Sequence, residues 1–308
     1  MAASDFKLIR PITITDAMVT ANNVTETDAT EWLAATAFTV GQTCMVTTTA
    51  NGAATATHAV YTANGSTTGD DPTLATESTP SADWTFTRYT NAWKMFDRSY
   101  QSQTINADTI EVEIAPGTMV TSVALLNLEA GSVTVEQTGS GYSETFDLVS
   151  HIVSSWWEYF TEVPIRTGDL VVSNIPPYAN ETLTITIDNT GDDAKCGVLV
   201  VGKSKFLGAT QWEANRSIND YSIATEAVDG SISLTQGAFS KRLNVEFKVP
   251  EGYESEATRI LEYYRATPLV FVGSEDYSMT IIYGFLGSWA VPISNTGRNA
   301  YAEIKGLV

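Results

Sequence analysis

Two histidines, two cysteines and a surplus of acidic side chains are the groups in this 308-residue chain that could carry chemistry at neutral pH. His58 stands in an alternating apolar run, and His151 follows Ser150 just ahead of an aromatic stretch. Neither has a partner at HxxxH or HExxH spacing, so both read as structural histidines. Cys44 and Cys196 lie far apart in segments of different character and outside any CxxC pair, which favours buried or incidental thiols over a disulfide or a zinc site. The chain carries no GxSxG elbow, no GxxxxGK[ST] loop and no GxGxxG between a strand and a helix, so acyl transfer, phosphoryl transfer and dinucleotide chemistry have no support. Paired carboxylates remain, and a glycosidase needs only two. No pair stands out among the 36 Asp and Glu residues. Asp70-Asp71-Pro72 and Asp192-Asp193 sit in turn-like sequence, where Asp serves local hydrogen bonds, and neither has the EF-hand spacing for calcium. The expectation is a non-enzymatic protein with no catalytic residue, metal or cofactor.

Aromatic side chains are the other candidates. Trp156, Trp157, Tyr159 and Phe160 form the most aromatic stretch of the chain. They suit a carbohydrate or receptor contact, or a subunit interface, where Trp and Tyr are enriched; the interface is favoured. The formal charge of −19 repels a phosphate backbone and the anionic leaflet of a membrane, so nucleic acid is disfavoured as a partner. The acidic groups either keep an adhesive β protein soluble or collect divalent cations between subunits, the first being favoured. No eighteen apolar residues run together, and Met-Ala-Ala-Ser-Asp is not the start of a signal peptide. These features predict synthesis in a cytoplasm and no membrane insertion. Four Asn-x-Ser/Thr triplets, at Asn23, Asn64, Asn180 and Asn215, reflect the abundance of Asn and Thr.

The elements that must position these residues are strands. Hydrophobic residues make up 43% of the chain and charged residues only 17%, with Thr, Ser, Val, Ile and Tyr prominent, a composition of half-buried pleated sheets. The fold expected is mainly β, divided into an N-terminal arm over 1–27, a small β module over 28–98, a β-sandwich over 99–208 and a C-terminal β-rich domain over 209–308. In the last, Ala257, Ile260, Leu261 and Tyr264 recur at helical spacing between Pro250 and Pro268, which predicts one amphipathic helix near 251–266. The arm, Phe6 to Thr15, alternates around Pro11, which suggests an extended arm or an edge strand lying on this chain or on a neighbour. Asn91-Ala92-Trp93-Lys94-Met95-Phe96-Asp97 reads as a rigid aromatic junction. Thr182–Asp188 has strict period 2, Asn189-Thr190-Gly191-Asp192 reads as a turn, and Cys196–Gly202 as a buried strand.

Three resemblances follow from these segments. Glu31-Trp32, Ala37–Gln42, His58–Ala63, Thr67–Pro72 and Trp84 occur in the order of the small chitin-binding-type carbohydrate modules. That resemblance implies sugar stacking by Trp32, Tyr61 and Trp84, whereas a module this small must also bury two or three aromatics to hold itself together. The Thr47–Thr57 stretch replaces the family's short central loop, and Gln42 and Thr43 stand where an acidic residue and Val are expected. Val123–Leu128, Leu183–Gly191 and Cys196–Gly202, closing with Leu207-Gly208, resemble the galactose-binding-like jelly rolls of phage tail and receptor-associated proteins; this implies a jelly roll and no particular ligand. The strand–helix–strand order ending in Pro268–Val272, Tyr283-Gly284-Phe285 and Tyr301–Leu307 is similar to tail-tip and baseplate proteins of tailed bacteriophages. Together the resemblances imply a virion structural protein of the tail tip or baseplate. Its partners would be other copies of itself and other tail proteins. The alternatives are an adhesin that binds host-surface saccharide and a capsid decoration protein.

Overall fold

A computed structural model of the chain describes residues 5–150, 155–157, 165–211, 214–226, 230–275, 277–291 and 299–307. It is mainly β, as the composition predicts, and has the expected helix as Glu254–Tyr263.

A nine-stranded sheet organises the molecule. Six of its strands, Val198–Thr210, Asp5–Pro11, Leu269–Val272, Ile281–Ala290, Asn299–Gly306 and Phe239–Lys248, follow one another in pairing order, and the ring is closed where Ala209 and Thr210 pair with Lys248 and Phe247. Alternation explains the closure. Phe6, Leu8, Leu243, Val245, Phe247, Ala300, Ala302 and Ile304 all point into one buried core. Large residues face small ones across the strands, Phe247 opposite Ala300 and Val245 opposite Ala302. The helix begins shortly after Pro250 and lays Ala257 and Leu261 on the same core. Lys205 Nζ fixes it from the barrel wall, donating to Glu256 Oε1 at 2.6 Å and to Tyr253 Oη at 2.9 Å. The chain leaves the helix through Ala266 in the left-handed region, φ 56°, just ahead of Pro268.

The sandwich shares a strand with the barrel. Its five-stranded sheet runs Tyr142–Asp147, Ser132–Gln137, Leu183–Cys196, Thr104–Ile114 and Val19–Asn22. This sheet packs on Asp169–Val172, Ser122–Leu126 and the first half of Val198–Thr210. Ile110, Val112, Val133, Val135, Ile185, Ile187, Leu199 and Val201 fill the space between. The boundary expected at 208/209 therefore falls inside one continuous strand. The reason is register: Val198–Gly202 pairs with Ser122–Leu126, and Gly202–Ala209 pairs with Asp5–Pro11. The N-terminal arm is corrected in the same way. Its first residues form an interior strand between Val198–Thr210 and Leu269–Val272, not an edge. A third revision concerns Asn189–Asp192, which bulges within the long Leu183–Cys196 strand while pairing with Thr104–Ile114 resumes beyond it. Asp108, itself at φ 60°, accepts the Gly191 N–H at 2.8 Å, and Asp188 accepts that of Thr190 at 2.8 Å.

A clamp joins the two parts across the seam where the sheets diverge. Lys241 pairs with Asp169 and donates to Tyr100 Oη at 2.6 Å, while Tyr100 donates to Asp169 Oδ1 at 3.0 Å. The ammonium also lies 4.7 Å from the Tyr100 ring centroid.

The small module has its own sheet, Thr30–Glu31, Thr43–Val46, Ala59–Ala63 and Trp84–Tyr89, and a second pair, Ala37–Phe38 with Thr67–Thr68.

Candidate assembly surface

The three aromatic rings expected to stack on sugar are the core of that module. Trp32, Tyr61 and Trp84 are each all but fully buried, packed with Phe38, Cys44, Val46 and Ala59. The Trp84 indole meets Phe38 edge-on at 5.2 Å and donates from Nε1 to the Asp70 carbonyl at 2.9 Å. Tyr61 donates to Thr57 Oγ1 at 2.9 Å. None offers a face to a ligand, which corrects the carbohydrate-stacking expectation. The physical reason is size: a four-stranded sheet with little else to bury must spend its largest side chains on itself.

The acidic turns are also used locally. Asp71 accepts the N–H groups of Thr73 at 2.9 Å and Ala54 at 2.8 Å, capping the short Pro72–Leu74 turn. Asp70 accepts from Thr67 Oγ1. Among the described residues no cluster of His, Cys, Asp and Glu could hold a metal ion. Burial pushes the thiols of both Cys44 and Cys196 up to about 12, far from a reactive thiolate.

Trp156 and Trp157 stand on the surface, 82% and 77% exposed. Tyr159, Phe160 and His151 lie outside the described residues.

The larger exposed apolar surface is elsewhere. From the barrel, Asn215–Asp220 pairs along Phe239–Lys248, and beyond it Ile223–Glu226 pairs with Ile232–Thr235, so two antiparallel segments leave the body as a ribbon. Beyond the sheet, the six residues from Tyr221 to Glu226, at about 3.3 Å each, give a reach of roughly 20 Å. Local bonds build the junction between its halves. Asp220 accepts the N–H and hydroxyl of Ser222 at 2.9 and 2.6 Å, which holds its carboxyl below the usual range, and Tyr221 N–H donates to Ala238 O at 3.0 Å. Gly237 is required there because a Cβ would strike the Tyr221 carbonyl.

This ribbon exposes Ile218, Tyr221, Ile223, Ile232, Leu234 and Phe239, all at half or more of their area. Every residue of its outer strands is exposed. Directly paired residues share a face, so Leu234 and Ile232 lie with Ala224 and Glu226 on one side, and Ile223 with Thr235 on the other. Apolar groups thus occupy both faces. Asn215–Asp220 is also the terminal strand of the nine-stranded sheet, with its outer edge unpaired among the described residues. The Ile232–Thr235 alternation is visible in the sequence and is that of a strand. What it leaves out is that Ile223–Glu226, its partner, is itself exposed at every residue, with no further strand pairing it among the described residues. Ile218, Tyr221, Ile223 and Phe239 have no motif that singles them out. The one signal is the alternation of Ile232 and Leu234 just after Gly230.

No protein-family model matches the chain, and no curated protein matches it. One solved structure, "Tail of empty GTA particle computed with helical refinement, C6 symmetry", contains a chain similar to part of this one, with 13% identity and a TM-score of 0.27 over 35% of this chain and 84% of that one.

Proposed function

We propose that this chain is a non-catalytic structural component of a tailed-phage virion, stationed at the tail tip or baseplate, and that copies of it join through the 215–240 ribbon. The observation that carries this reading is the ribbon's two-sided apolar surface. A two-stranded ribbon is at best marginal on its own in water; the part beyond the nine-stranded sheet exposes Tyr221, Ile223, Ile232 and Leu234, and Ile218 and Phe239 are exposed where it leaves that sheet. A segment of that kind is completed by an assembly partner that surrounds it.

Area favours a second copy as that partner. Each of the six side chains offers on the order of 100 Å² for burial, or about 600 Å² per ribbon. Two copies that exchange ribbons bury about 1,200 Å² of ribbon alone, which reaches the range of stable interfaces before the receiving surfaces are counted. The sequence resemblance to tail-tip and baseplate proteins supplies the setting. A host-saccharide adhesin is the second reading, and Trp156 and Trp157 favour it, because exposed indoles suit sugar rings as well as protein partners.

The test combines sedimentation of the purified chain with its location in intact virions by cryo-electron microscopy. The expected result is concentration-dependent self-association that weakens at least a hundredfold in the Ile232→Asp/Leu234→Asp double variant. That loss corresponds to two side chains of about 1.5–3 kcal/mol each. In the virion, density should form a symmetric ring at the tail end. Unchanged association in the variant rejects the ribbon as the interface. Density confined to peripheral fibres favours the adhesin.

A further inference from the structure

His58 sits where three parts of the chain meet. It precedes the Ala59–Ala63 strand of the small module, buried, in the left-handed region at φ 49°. Its ring lies flat on the Trp93 indole of the outgoing linker, centroids 4.1 Å apart and planes 10° from parallel. Nε2 is 3.0 Å from Asp16 Oδ1, on the incoming segment, and Nδ1 is 3.0 Å from both oxygens of Glu26 on the same segment. Thr90 closes the ring of contacts. Its hydroxyl donates to Glu26, and its N–H donates to the His58 carbonyl at 2.8 Å.

A neutral imidazole has one N–H and one lone pair, and a carboxylate is an acceptor only. With a carboxylate at each nitrogen, the neutral ring must aim a lone pair at one of them. The doubly protonated ring donates to both, and the indole face beneath it attracts a cation. We propose that His58 is a charged bolt, locking the small module to the body of the protein through Asp16, Glu26 and Trp93, and that loss of its second proton loosens this junction.

Among the described residues, the charged groups that face the ring are Asp16 and Glu26. Nearby, Asp28 is engaged by Arg88 and by the Asn91 N–H at 2.8 Å and does not reach the ring. Burial disfavours the charged ring, but hydrogen bonds and charges from Glu26 and then Asp16 outweigh it, raising His58 above the ordinary histidine value. A group raised on folding stabilises fully below its unfolded value of about 6.5, and that stabilisation is lost as pH climbs through the folded value. The junction is therefore tight in acid and loose in alkali.

With only two histidines, selective isotope labelling of the full chain and a His58→Asn variant assign the His58 signals by NMR; Asn tolerates the left-handed backbone and carries no charge. The ring should titrate above the ordinary value, and Glu26→Gln should lower its titration point. Amide exchange, corrected for intrinsic rates, should show protection over 16–26 and 90–96 disappearing through the same pH range. In His58→Asn those segments should be poorly protected at every pH, while unchanged amide protection over Thr43–Val46 and Ala59–Ala63 reports an intact module. A ring that titrates at or below the ordinary value overturns the proposal, as does protection that stays constant while the ring titrates.

Discussion

Replacing Phe6 by Ala tests whether the N-terminal strand is an integral part of the barrel. Phe6 is fully buried, its ring 4.7 Å from Phe247 and 6.4 Å from Phe271. Removing a wholly buried Phe forfeits roughly 2–3 kcal/mol of transfer free energy. The two aromatic neighbours add about 0.5–1.5 kcal/mol each, and relaxation around the cavity left in this core sets where the total falls, so the expected loss is about 3–6 kcal/mol. Lys7, one residue along, points outward to a partly exposed pair with Glu275 at 3.0 Å, and Lys7→Ala should cost less than about 1 kcal/mol. Hydrogen exchange of the full chain reads both, as opening free energies of the Phe239–Lys248 and Asn299–Gly306 strands. Phe6→Ala should lower these by the stated amount and leave the Ala59–Ala63 strand of the small module unchanged. Equal effects of the two substitutions, or barrel strands indifferent to Phe6, would refute the strand's place between Val198–Thr210 and Leu269–Val272.

Two further outcomes follow from burial. Trp84→Ala should unfold the small module, with a loss of about 3–5 kcal/mol, whereas Trp84→Phe should lose about 1 kcal/mol for the bond to the Asp70 carbonyl; near-ultraviolet circular dichroism on heating separates them. Cys44 and Cys196 should resist a thiol reagent in the native protein at pH 8 and react fully only after denaturation, because both are buried and pushed up to about 12; rapid native labelling would show that their surroundings open.

The acidic composition bears on assembly. A formal charge of −19 repels like copies at long range, so the proposed contact between them would rest on short-range apolar burial. The ribbon's charged residues are few: Arg216, Asp220 and Glu226 are those described between Asn215 and Phe239.

By itself the sequence determined the class of structure and many of its pieces. Alternation at Leu243–Phe247 and Leu183–Ile187, and helical spacing from Ala257 to Tyr264, are local properties fixed by the 2.0 and 3.6 periods, and each became the element that its period dictates. The need to bury aromatics in a small module is likewise a matter of composition and size, and Trp32 and Trp84 met it. Tertiary structure decided the rest. Whether Phe6 to Pro11 lies at an edge or inside a barrel depends on strands nearly 200 residues or more away, and a period-2 pattern is the same in both places. The barrel and sandwich share Val198–Thr210 because pairing continues where composition suggests a break. His58, an isolated histidine in sequence, acquires meaning only when Asp16, Glu26 and Trp93 converge on it. The ribbon is the clearest case: Ile232 and Leu234 carry the alternation of a buried face, and only the folded chain shows that nothing of its own among the described residues covers them, since burial is a property of neighbours and not of the residue.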